Sequence, residues 1–142
     1  MCNIVFENET SFTIDEKFLE KIANDITDKE IEFILTTNSE IQKINLNTRG
    51  IDKPTDVLSF PYEDMPFTPL GSIVVSAEFV QLKSKKYDHS FNDELSLLFI
   101  HGLLHLIGYD HEIDSGEHRQ KEEDLINRFN LPSSLIIRTN KE

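Results

Sequence analysis

Apolar residues recur along this chain with two different periods, and the switches between periods mark its elements. Residues 3–6 form a short apolar run that predicts a first strand. Phe18, Leu19, Ile22 and Ile26 fall at helical spacing and predict a helix over about 15–28. Residues 31–37 are β-branched and apolar, a strand pattern. Ser39 is placed to cap a short helix that carries Ile41, Ile44 and Leu46 on one side. Residues 48–55 are polar, hold Gly50 and Pro54, and read as a loop. Residues 56–60 read as a strand stopped by Pro61, and 62–71 as a loop around Pro66 and Pro69. A further strand is predicted over 72–75, followed by a helix capped by Ser76 and running to about 87.

Ser90, with Asp93 three residues on, opens the next helix in a capping-box-like pattern. Leu95, Leu97, Leu98, Phe99, Ile100, Leu103, Leu104, Leu106 and Ile107 leave it almost no polar face, which predicts a buried helix. Gly108 is a natural left-handed stop. Asp114 with Glu117 predicts the cap of a last helix reaching about 129, before Pro132. Strands and helices interleave without strict alternation. The expectation is an α+β fold: a small mixed sheet of about four strands, packed by helices. With 142 residues and no internal repeat, the chain is expected to form one domain over 1–142.

Charge alters this picture. Fourteen Lys and Arg against 26 Asp and Glu give a net charge of −12, a poor balance for generic nucleic-acid binding. The distribution is uneven, and residues 41–90 hold 6 bases and 6 acids. Phosphate contacts are therefore expected from the middle of the chain, where Arg49, Lys53 and the cluster Lys83, Lys85, Lys86 lie. A solvated helix face explains the three lysines equally well. Residues 1–12 carry Glu7 and Glu9 and no basic stretch, so they do not read as a signal peptide. The most apolar run, 95–107, is interrupted by two histidines and is far short of the ~20 apolar residues a membrane span requires. The lone Cys2 excludes an intrachain disulfide and a thiolate metal cage, and fits a reducing, cytoplasmic compartment.

The histidines carry the chemistry. His101 and His105 are four residues apart on the buried helix, so both imidazoles leave one face a turn apart. Gly108 lets the chain turn back, and His111 follows at a distance that allows its ring to reach the same point. Two imidazoles buried side by side with no ligand would lose hydration and gain no partner. Three neutral imidazoles suit one zinc ion with a fourth position left open, the arrangement of a catalytic site. Cys2 and His118 lack the spacing for a fourth ligand, and His118 reads as a surface residue. The spacing is that of the long zinc-protease motif H-E-x-x-H-x-x-G-x-x-H, except that Gly102 stands where those proteases carry their general base. Peptide hydrolysis by the usual route is therefore unsupported, whereas metal-activated water remains available for another substrate.

A second run, Arg49-Gly-Ile-Asp52-Lys-Pro54-Thr55-Asp56-Val-Leu-Ser59-Phe60-Pro61, is a charged loop opening into a strand. An arginine there offers a bidentate clamp for phosphate. Taken alone, Arg49 reads more readily as a surface ion pair with Asp52. With this run, H-G-L-L-H-L-x-G-Y-D-H at 101–111 and G-x-I-V-x-S at 71–76, the chain resembles the YbeY family of ribosomal RNA maturation endoribonucleases. The resemblance covers about 31–129. Ser72 departs from the Asp the family commonly has there, the helix after residue 114 lacks the family's usual Met, and the first thirty residues match loosely.

The resemblance implies a zinc-protease-like metal site, one zinc held by His101, His105 and His111, and Arg49 as the functional cleft residue. It implies cleavage of single-stranded rRNA on the small ribosomal subunit, linked to 16S rRNA 3′-end maturation and ribosome quality control, with neither DNA nor membrane as partner. Asp110 and Glu94 are candidates to orient an imidazole. Two other readings compete: a metalloprotease-like hydrolase, and a non-catalytic assembly factor whose zinc only holds the fold.

Overall fold

Strand β2 (Ile31–Thr36) organises the sheet, because its pattern lets it be covered on both sides. In the computed structural model, which describes residues 3–63 and 65–141, β2 lies parallel to β1 (Ile4–Asn8) on one side and to β4 (Gly71–Ser76) on the other. Cys2 lies outside the described residues. All six residues of β4 are buried. Strand β3 (Val57–Pro61) pairs antiparallel with β4 and forms one edge, giving the order β1-β2-β4-β3. Pro61, which lacks an N–H, ends β3 on that edge, where proline is tolerated.

The two faces of the sheet are covered unequally. Ile31, Phe33, Leu35, Ile73 and Val75 point to the main core, which is closed by α1 (Glu16–Ile26), α3 (Ala77–Lys86), α4 (Phe91–Leu106) and α5 (Glu117–Arg128). The opposite face carries Leu58 and Val74 against Ile41 of α2 (Asn38–Arg49), a smaller cluster. Helix α4 is buried along nearly its whole length, as its all-round apolar sequence predicts. The observed architecture is the expected one: an α+β fold with a four-stranded mixed sheet packed by helices.

Three boundaries differ, each for a local reason. Thr37, not Ser39, caps α2, its hydroxyl accepting from the Glu40 N–H, so the helix starts earlier. Helix α2 also runs through Thr48 to Arg49 and stops at Gly50 in a left-handed conformation (φ 71°). Arg49 therefore sits on the last helical turn and not in a loop. Pro132 does not end the helical part of the chain: α6 (Ser134–Lys141) follows, with Leu135 buried against Leu97 and Ile126. Ser76 occupies the cap position of α3 as expected, but its hydroxyl bonds the Asn38 side chain instead of the helix backbone. Among the described residues, no helix is long and apolar enough to cross a membrane.

Candidate metal centre and cleft

The C-terminal half of α4 presents His101 and His105 one turn apart, with ring centres 4.9 Å from each other. After α4 the chain reverses at Gly108, whose φ of +110° is open to glycine and strained for other residues. The following loop brings the exposed His111 to 5.0 Å from His101 and 5.3 Å from His105, ring centre to ring centre.

Helix α5 adds what the sequence reading placed elsewhere. The Asp114 carboxylate accepts from the N–H groups of Gly116 and His118, pinning the first turn of α5; these bonds hold its pKa below the ordinary carboxylate range. His118 is thereby turned inward and is not a surface residue: it is fully buried, stacked 4.5 Å from His101 and 4.7 Å from His105. One nitrogen from each of His101, His105 and His118 lies within 4.8 Å of the others. Neither His118 nitrogen makes a hydrogen bond, although Nε2 comes within 3.1 Å of Glu122 Oε1 in poor alignment. The linear motif ends at His111, so only the capping pattern at Asp114, which fixes the phase of α5, could have signalled that His118 faces in.

Glu122, also unanticipated, is the carboxylate that orients the imidazoles. It lies 2.5 Å from His101 Nδ1 and is almost completely buried. Burial pushes its pKa up, but the bond from His101 and the adjacent His118 outweigh this and hold it at about 2. An ionised carboxylate only accepts hydrogen bonds, so Nδ1 of His101 carries the proton and Nε2 keeps its lone pair for an ion. His105 is kept neutral: burial first, then the neighbouring His101, His118 and His111, lower its pKa to about 4. A neutral ring is what a metal ligand must be. The buried, unbonded nitrogens of His118 and the neutral His105 fit a cation surrounded by imidazole.

The expected orienting role of Glu94 is not seen. Its carboxylate binds His89 Nε2 at 2.8 Å and Arg138 Nε at 2.9 Å, and Arg138 reaches Asp56 at 3.5 Å. Asp110 lines the cleft and opposes the lowering of the His105 pKa, but among the described residues it makes no hydrogen bond to an imidazole.

A cleft of about 700 Å³ opens over the histidines. His101, His105 and His111 line it, together with Arg49 and strand β3. Arg49 makes no ion pair with Asp52, which instead accepts from the Gln42 amide at 2.9 Å. Arg119 and Arg138, which the sequence reading did not select, also line the cleft, whereas Lys53, Lys83, Lys85 and Lys86 do not. Ser72 lies on the α2 side of the sheet, its hydroxyl bonded to Tyr62 and Glu32, so a carboxylate is not missing from the metal centre there. Gly102 faces β3 and β4: a Cβ at this position would stand 2.9 Å from Ile73 Cγ2 and 3.0 Å from Ser59 Oγ. The missing protease base is thus enforced by packing.

Known proteins resemble this chain over nearly its whole length. The family described as Endoribonuclease YbeY matches residues 4–130. An Endoribonuclease YbeY of Aliarcobacter butzleri is 62% identical over 139 residues, covering 95% of this chain and 98% of its own. That of Sulfurimonas denitrificans is 56% identical, covering 96% and 98%, and that of Helicobacter pylori 53%, covering 94% and 96%. The solution structure of a Thermotoga maritima protein superposes with a TM-score of 0.60 at 30% identity, covering 91% of this chain and 89% of that one. The likeness therefore extends through the first thirty residues, beyond the stretch that the motifs delimit. With profile, near-full-length relatives and fold in agreement, the chain belongs to the Endoribonuclease YbeY family.

Proposed function

We propose that this chain is a zinc-dependent endoribonuclease that cleaves single-stranded RNA, acting in 16S rRNA 3′-end maturation and in ribosome quality control in the cytoplasm. The observation that carries this reading is the shared cleft: Arg49 lines it together with His101, His105 and His111, and the position of a protease base is filled by Gly102 packed against the sheet. The relatives' name, endoribonuclease, agrees with a phosphodiester substrate.

In this reading one zinc per chain is held by His101, His105 and His111. Bound there, it would supply Lewis-acid polarisation of a phosphoryl oxygen and activation of water. Glu122 holds the proton of His101 on Nδ1, fixing the ring that faces the ion. Arg49 places a guanidinium, which among the described residues has no carboxylate partner, where negative charge builds on the phosphate. The acidic remainder of the molecule leaves general RNA affinity low, so the small ribosomal subunit presents the strand.

The buried His118 lends weight to one other reading, a ribosome-assembly factor whose zinc is purely structural. Single-stranded RNA and an unstructured protein, each incubated with the purified chain before and after chelation, separate the possibilities. RNA cleavage that chelation stops and added zinc restores is the expected result. Protein hydrolysis, or RNA cleavage indifferent to chelation, would sink the reading.

A further inference from the structure

Four imidazole rings surround this centre, but the nitrogens that converge within 4.8 Å belong to His101, His105 and His118, with His111 as the outer ring. The six distances between the ring centres of His101, His105, His111 and His118 all fall between 4.5 and 5.4 Å. With Zn–N bonds of about 2.0–2.1 Å, four imidazoles at the corners of a tetrahedron put their ring centres about 5 Å apart. The two histidines outside α4 differ in setting. His118 is fully buried on α5, held from below by the Asp114 cap, and has no hydrogen bond at either nitrogen. His111 is exposed, sits on the turn after Gly108, and lines the cleft. A buried ring whose nitrogens make no hydrogen bond has lost its hydration uncompensated, and a bond to an ion would restore a partner.

We propose that His118 is a permanent zinc ligand together with His101 and His105, and that His111 is the displaceable fourth ligand whose departure toward the cleft opens the ion to substrate. This rests on the metal reading above and alters its ligand set, adding His118 as a fixed ligand and making His111 the exchangeable one. The resting centre is closed by four protein ligands, as in a structural site, and becomes an open site only when a phosphate in the cleft takes the place of His111. His118 cannot play that part, because it does not line the cleft and leaving would strip a buried ring of its partner.

Zinc binding tests this without any cleavage assay. In the wild-type chain, imidazole nitrogen NMR recorded before and after one equivalent of zinc should move the resonances of all four rings. In competition with a chromophoric chelator, His118→Ala should lose zinc affinity about 100-fold, and His111→Ala about tenfold or less. Movement of His101, His105 and His111 with His118 unchanged would overturn the assignment, as would the reverse order of the two affinity losses. The wild-type spectrum decides the matter even where His118→Ala does not fold. Absence of any zinc-induced shift would overturn this inference and the metal reading beneath it, whereas a chain that binds zinc through four rings but leaves RNA intact would overturn only the proposed activity.

Discussion

Arg49 shows how far a single side chain's meaning depends on what is missing around it. Its predicted partner Asp52 is engaged by Gln42, and among the described residues Arg49 forms no ion pair. A cation exposed at the end of α2 and lining the histidine cleft has no evident structural task. Arg49→Ala should therefore leave folding and zinc content nearly unchanged while cleavage falls by a factor of about 10² or more. Arg49→Lys should recover only part of it, because the fork that grips two phosphate oxygens is lost. Wild-type rates in Arg49→Ala would return the residue to the surface. His101 and His105 were legible because their spacing on a helix signals itself locally, whereas Arg49 was singled out only through the family resemblance of the run it opens. His118 and Glu122 were not: a lone histidine and a glutamate among several acids look solvated until the helix carrying them is docked.

At the scale of the element, α4 does two jobs on two faces. One face carries His101 and His105; the other presses Gly102 onto β3 and β4, where the Ser59 hydroxyl donates to the Gly102 carbonyl at 3.2 Å. The second job excludes the chemistry that the zinc-protease pattern would otherwise suggest. Gly102→Glu, which would complete that pattern, should destabilise the chain by about 3 kcal/mol or more through overpacking and burial of a carboxylate. A melting temperature equal to wild type in Gly102→Glu would refute this account of the packing. Helix α6 escaped the sequence reading for a related reason. It is eight residues long with adjacent Ile136 and Ile137, a weak helix former by propensity. Its stability comes from Leu135 packed on Leu97 and Ile126, and from Arg138 bonded to Glu94 and Asp56, contacts between residues far apart in the chain.

For the molecule as a whole, charge predicts how RNA is held. Net charge is −12, and of the bases lining the cleft Arg138 is already engaged with Glu94 and Asp56, leaving Arg49 and Arg119. Few phosphates can be neutralised, so the logarithm of RNA affinity should fall shallowly with the logarithm of salt, with about two to four counterions released. Lys83, Lys85 and Lys86 lie at the end of α3 outside the cleft, and the ammonium groups of Lys83 and Lys86 sit 6.0 and 5.2 Å from the Tyr87 ring centre. Neutralising all three should leave the slope in place, whereas Arg49→Ala should reduce it by about one. A salt titration of wild type and both variants checks this; a steep wild-type slope, or one carried by the lysines, would show that a different surface meets the RNA.

Apart from α6, the sequence by itself determined the elements, the α+β class, the buried helix and the histidine pair on its face, because each follows from periodicity, capping and spacing within a few turns of chain. The Gly102 departure was also readable there as a missing base, although the sheet packing that forbids one was not. Only the tertiary structure decided that Arg49 shares a cleft with the histidines, that Glu122 and not Glu94 orients an imidazole of the centre, and that His118 faces it. These depend on how α5 crosses α4 and how β3 flanks the cleft, and helix-to-helix docking is set by the joint burial of surfaces that no local pattern specifies.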